Sequence, residues 1–301
     1  MRVLAGVLLA LLVVITTTSA YLRLAQTGLS CAGAPDCYAQ RPAGPEADPA
    51  EDTARALHRI AASAAGAVIL VILFVGWSDA RPGERVAAIA LLVLAACLAW
   101  LGRYTPSGVP AVTLGNLLGG MAMLAVAGWL LVALRRPPPV ANGRALRGWT
   151  WLAAALVALQ IAAGGLIAAR HAAYACPSFP DCAGSIWPDG AEPAAFDPFR
   201  EMAPPASAAE RADPARQAVA LAHRWIAAPT LVVLAWLGVR AARSGARPAG
   251  YALLALAAAQ LALGAAQALG GQPLALAVVH NVLAAAVVIT LAALAARTAP
   301  A

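Results

Sequence analysis

Eight runs of apolar residues divide the chain, at about 3–20, 57–77, 86–102, 111–134, 148–169, 217–239, 249–268 and 273–296. Each approaches the roughly 20 residues that a helix needs to cross a bilayer. Their abundance of Ala, Leu, Val and Gly suits helices that pack backbone to backbone in lipid. The pattern predicts an all-α membrane protein of eight transmembrane helices. The first run ends in Thr18-Ser19-Ala20, which also reads as a signal-peptide cleavage site. Its length, and the need for an even number of spans, favour a retained helix.

The polar segments between the runs fall into two classes. Short connections carry arginine: Arg81 and Arg85; Arg135, Arg136, Arg144 and Arg147; Arg240, Arg243 and Arg247. Two long segments, 21–56 and 170–216, carry nearly all the acids. Short basic loops stay in the cytoplasm, so both termini are expected there. The long loops are then expected outside, in the periplasm of a bacterial inner membrane. Composition agrees: of 301 residues, 61% are hydrophobic and 12% charged, with no Lys at all. The net charge of +7 is scattered between apolar runs and forms no basic face, which excludes a nucleic-acid partner.

The chain also reads as a duplicated four-helix unit, residues 1–140 and 141–301, which predicts two tandem four-helix bundles. In each half a C-x5-C pair follows the first helix, Cys31 and Cys37, then Cys176 and Cys182. In each half a His-Arg pair opens the second helix, His58-Arg59 and His223-Arg224. Gly115-Asn116-Leu117-Leu118 in the fourth helix lies over His280-Asn281-Val282-Leu283 in the eighth.

A histidine within a span is costly and points to function. Imidazoles on facing helices are common axial ligands of haem iron. His223 and His280, on alternate helices of one half, are therefore expected to hold a haem between them. His58 has no such partner, because Gly115 stands where the matching histidine would be, so the first half offers one axial ligand. His171 follows Arg170 at the outer end of the fifth helix and reads as an interfacial side chain. An arginine–histidine pair facing haem propionates is the alternative. The loop cysteines lie where disulfides persist, so Cys31–Cys37 and Cys176–Cys182 are expected to be bonded. Zinc is the weaker alternative, since no short C-x2-C knuckle is present. Cys97, inside the third helix, is expected to be buried.

These residues resemble the haem A synthase family over nearly the whole chain. The match runs through Arg23-Leu24, Thr27-Gly28-Leu29-Ser30-Cys31, His58-Arg59, Gln160-Ile161, Ala175-Cys176-Pro177-Ser178-Phe179-Pro180-Asp181-Cys182, His223-Arg224 and His280. The resemblance implies oxidation of haem O to haem A, in which a porphyrin methyl becomes a formyl group, for respiratory oxidase biogenesis. It implies haem b on His223 and His280, and the substrate haem beside His58. Lipid, haem O, haem O synthase and oxidase assembly factors are the partners it implies; a homo-oligomer is also compatible with it. Two positions depart from the family pattern. Arg55 stands where the family has a glutamate three residues before the first histidine, and Gly115 stands where it has a histidine. Glu51 and Asp52 lie one turn earlier than Arg55. These departures give weight to a different class, a non-catalytic haem-binding or haem-delivery protein that assists oxidase assembly. A di-haem electron carrier and a transporter fit less well.

Overall fold

The computed structural model describes residues 1–29, 35–36, 48–105, 107–138, 140–141 and 143–298. Among them, eight helices are long and apolar enough to cross a membrane. They are α1 (Arg2–Leu24), α2 (Pro49–Gly76), α3 (Pro82–Leu101), α4 (Pro110–Arg135), α5 (Gly143–Ala169), α6 (Pro214–Arg243), α7 (Arg247–Leu269) and α8 (Leu274–Thr298). A π-helical turn, Ala25–Leu29, prolongs α1, and a single helical turn, Ala208–Arg211, precedes α6.

Of the helices that begin earlier than the apolar pattern predicts, two start on the face of the long loops, at 49 instead of 57 and at 214 instead of 217. The same local chemistry explains both. Asp48 accepts the Ala50 amide and Asp213 accepts the Arg216 amide, each followed by proline at the first helical position. An aspartate cap satisfies an orphan donor, and proline there forfeits no helical hydrogen bond. The first turns of both helices are polar, so a count of apolar residues does not reach them.

Helices α1 to α4 pack in a ring, α1 on α2, α2 on α3, α3 on α4 and α4 back on α1. Helices α5 to α8 close a second ring in the same way, and α1, α4, α5 and α8 meet between the two. Leu8, Ile69, Leu91 and Leu124 fill the first core, and Leu237, Leu253, Leu291 and Leu294 the second. Small residues set the closest approaches, as expected where lipid offers no hydrophobic drive between helices. A Cβ on Gly238 of α6 would lie 2.9 Å from the Gly250 carbonyl oxygen of α7, and one on Gly250 would lie 2.5 Å from that of Gly238. Cys97 departs from expectation: it is a free thiol, exposed on α3. A thiol is apolar enough to face hydrocarbon, so burial inside the protein is not required of it.

The arginine-rich connections share one face. Arg2 Nε donates to the Leu134 carbonyl at 2.9 Å, the Ala141 amide to Ser244 at 3.2 Å, and Arg297 to Gly245 at 3.4 Å. On the opposite face the 170–216 segment folds over the helix ends. Its Pro198 carbonyl accepts the Ala111 amide at the start of α4, at 2.7 Å. Arg216, buried near its base, donates to the carbonyls of Arg170, Ala203 and Glu210 and pairs with Asp213.

Candidate functional site

Cys176 and Cys182 form a disulfide, and both are buried against Ala220 and Leu221 of α6. Cys31 and Cys37 lie outside the described residues. The disulfide loop is fastened to α6 beside His223. Arg224 Nη1 lies 2.7, 3.3 and 2.5 Å from the carbonyls of Ser178, Pro180 and Asp181, and its guanidinium covers the Phe179 ring. Trp225 Nε1 donates to the Ile186 carbonyl at 3.0 Å. The residue after His223 therefore bears the weight of the loop, a role its place in the His-Arg motif did not disclose.

Because α2 and α6 start early, His58 and His223 do not sit at helix ends as the pattern suggested. Each is nine residues in from the first proline, about 13 Å at 1.5 Å per residue. His280 is six residues into α8. All three side chains are partly buried.

His223 and His280 are near enough to interact electrostatically. Glycines flank both rings. A Cβ on Gly164 of α5 would lie 3.0 Å from His223 Cε1, and one on Gly264 of α7 would lie 3.7 Å from His280 Cε1. Gln160 Nε2 lies 3.2 Å from His223 Nε2, and Gln260 Nε2 donates to the His280 carbonyl at 3.1 Å. The Nδ1 atoms of both histidines and the Oε1 atoms of both glutamines are buried without a hydrogen-bond partner. Native interiors rarely leave such atoms unsatisfied unless a group or water belongs there. Arg23 of α1 reaches the same neighbourhood, donating to Asn281 Oδ1 at 2.8 Å. Asn281 in turn donates to the Ala277 carbonyl.

His58 is held differently. Its Nδ1 lies 3.3 Å from the Ile15 carbonyl and 3.4 Å from Thr18 Oγ1, both on α1. A carbonyl only accepts, so this contact puts the proton on Nδ1 and leaves the Nε2 lone pair for another partner. Thr18 also lines an open groove of about 560 Å³ between α1 and α2, with Thr17, Tyr21, Thr53, Leu57 and Val278.

The two departures from the family pattern each have a structural setting. Arg55 pairs with Glu51 at 2.5 Å and with Asp52 at 2.9 Å, and Glu51 is buried. The i, i+4 and i, i+3 spacings made those pairs legible in advance. At Gly115 a Cβ would lie 2.6 Å from Leu101 Cδ2, and at Gly119 one would lie 2.6 Å from Leu98 Cδ2. Gly115 and Gly119 thus seat two leucines of α3, and the place of a second histidine is taken by helix packing.

His171 has a left-handed backbone, φ 53°, and lies outside the spans. Burial, and secondly the Arg216 charge, push its pKa down to about 4. Arg170 before it is fully buried, with Nη2 donating to the Asp197 carbonyl at 2.5 Å.

Known proteins match this arrangement along nearly its whole length. The family described as cytochrome oxidase assembly protein matches residues 2–292. The haem A synthase of Shewanella oneidensis is 30% identical over 296 residues, covering 90% of this chain and 88% of that protein. With eight membrane-type helices and a match that runs through both rings, the chain belongs to the haem A synthase family of cytochrome oxidase assembly proteins.

Proposed function

We propose that the protein is a haem A synthase-type oxidoreductase that converts haem O to haem A, with haem b resident in the second ring and haem O received in the first. The observation that carries this reading is the pair His223 and His280, with buried, unpartnered Nδ1 atoms and a glycine against each ring. Two imidazoles on facing helices, each with a glycine rather than a larger side chain against its ring, are the kind of pair that would hold a haem iron. When bound, haem b would supply one-electron redox chemistry. In the protein's own part, His223 and His280 would hold the iron, and Gln160, 3.2 Å from His223 Nε2, would orient that ring. Arg224 holds the wall of the site through the disulfide loop. His58 offers Nε2 to the substrate haem while Ile15 fixes its tautomer. The open groove lined by Thr18, Tyr21 and Leu57 is where a membrane-dissolved substrate would arrive.

The halves 1–140 and 141–301 are read as a duplicated four-helix unit, with the arginine-rich face in the cytoplasm and the Cys176–Cys182 loop in the periplasm. That orientation follows the excess of Arg in short loops. Haem O synthase and oxidase assembly factors are the partners this reading implies.

A second reading has its own support. Glu51 is neutralised by Arg55, and Leu101 occupies the space beside Gly115, which suits a protein that binds or delivers haem without oxidising it. Haem extracted from protein produced with a haem O source separates the two, by chromatography with mass detection. Haem A or its hydroxylated precursor means oxidation; haem b with unaltered haem O, in folded protein, means delivery. The ligand assignment is tested by His223→Ala and His280→Ala. Each is expected to lose the low-spin haem spectrum, and a full spectrum in either refutes it.

A further inference from the structure

On the arginine-rich face the ends of α1, α2, α3 and α4 enclose a cavity of about 500 Å³, within the range of small-ligand sites. Its inner wall is apolar, formed by Ile72, Leu73, Leu130 and Leu134, and its rim carries Arg2, Arg85 and Arg136. The three guanidinium groups have no carboxylate partner among the described residues. Arg2 Nε donates to the Leu134 carbonyl, and Arg85 donates from Nε to the Trp77 carbonyl at 3.1 Å and from Nη2 to the Ser78 carbonyl at 3.5 Å, which leaves the other guanidinium N–H groups for a ligand. Among the described residues the Arg136 side chain makes no hydrogen bond, and its backbone at the end of α4 is left-handed, φ 52°. Two acids line the same cavity. Glu84 is buried and accepts the Arg81 amide at 2.9 Å, capping α3, so the three arginines outnumber the two carboxylates of Glu84 and Asp79. The Trp77 ring lies beneath Arg85, 5.3 Å from centroid to guanidinium, an arrangement suited to the membrane–water interface.

We propose that this cavity is a binding site for an anionic phospholipid. The phosphate is taken by Arg85 and Arg136, with Arg2 beside them, and the start of an acyl chain lies along Leu73 and Leu130. Guanidinium groups bind phosphate oxygens through paired N–H donors, and basic pockets between helix ends are where acidic headgroups collect. An apolar wall under a cationic rim matches a molecule that is charged at one end and hydrocarbon at the other. Inorganic phosphate has no use for that wall. The site lies at the opposite end of the helices from the disulfide loop, so the assignment stands or falls independently of the haem reading.

The test uses the full-length protein purified in a neutral detergent and stripped of lipid. Phosphatidylglycerol, phosphatidylcholine or inorganic phosphate is then added, and bound lipid is counted by native mass spectrometry alongside the apparent Tm. Phosphatidylglycerol is expected to be retained at least about five-fold over phosphatidylcholine and to raise the Tm, with phosphate alone inert. Arg136→Asn keeps a residue tolerant of the left-handed backbone and removes no protein contact, so it folds and is expected to lose most of that preference. Arg85→Gln is expected to do the same. Arg243→Gln, on the same face in the second ring, is expected to keep it. Equal retention of the two lipids, a preference unchanged in Arg136→Asn, or an equal Tm rise with phosphate overturns the proposal.

Discussion

Arg224→Ala isolates the tie between α6 and the disulfide loop. One guanidinium nitrogen has two protons, so the three short distances to Ser178, Pro180 and Asp181 amount to two good bonds, at 2.5 and 2.7 Å, and a weaker shared one at 3.3 Å. A hydrogen bond to a charged group contributes about 1.5–3 kcal/mol net. Because Arg224 is only partly buried, the lower end applies, and losing the clamp should cost the closed loop about 2–4 kcal/mol. Cys176 and Cys182 are 6% and 3% exposed, so a soluble thiol reaches their bond only when the loop opens. Every 1.4 kcal/mol is tenfold in that opening equilibrium. Reduction of the disulfide should therefore run about thirty-fold to several hundred-fold faster in Arg224→Ala. The assay follows thiol appearance at Cys176 and Cys182 by alkylation and mass spectrometry, under limiting reductant and below the melting temperature. Arg224→Lys, which keeps the charge but not the planar fork, should fall between. A wild-type reduction rate in Arg224→Ala refutes the reasoning, since it would mean that the carbonyl contacts contribute nothing to closure.

Two further outcomes follow from the packing. Gly115→His alone forces a Cβ against Leu101 and is expected to lower the melting temperature without adding haem. Combined with Leu101→Ala it is expected to raise the haem-to-protein ratio, measured by pyridine haemochrome, from about one towards about two; an unchanged ratio in a folded double variant refutes that. His171 has a folded pKa of about 4 against about 6.5 in an unfolded chain. The unfolded chain takes up the proton first, so stability is full above pH 6.5, falls as the pH drops, and levels off below about 4. The upper figure is about 3 kcal/mol. His171→Asn, which suits the left-handed backbone, should flatten the melting temperature between pH 6.5 and 4; an equally steep profile refutes the assignment.

The eight helices were legible because apolar length is a direct consequence of the hydrocarbon thickness. The outer starts of α2 and α6 were not, because Asp48-Pro49 and Asp213-Pro214 work through capping and a fixed φ rather than through hydropathy. That local chemistry moves His58 and His223 from the helix ends to two and a half turns inside. The residue types at the candidate site could be read from the paired motifs, and the Glu51–Arg55 contact from its spacing. What stayed hidden depends on which helices touch. Gln160 meeting His223, Arg23 meeting Asn281, and Leu101 filling the space at Gly115 all join residues far apart in sequence, and no periodicity within one segment encodes them.

The mutual approach of Gly238 and Gly250 bears on how the second ring can move. With each glycine's carbonyl pressed on the other's Cα and only residues 244–246 joining the helices, no lipid tail can part α6 from α7 there. Mechanically the two form a single lever, clasped at its base, with the far end of α6 carrying His223 and the disulfide loop and α7 presenting Gly264 to His280. A tilt that starts at either tip must turn both helices together about that clasp. The distance between His223 and His280 then follows how α8 sits against that lever, to which Gln260 of α7 ties it through the His280 carbonyl.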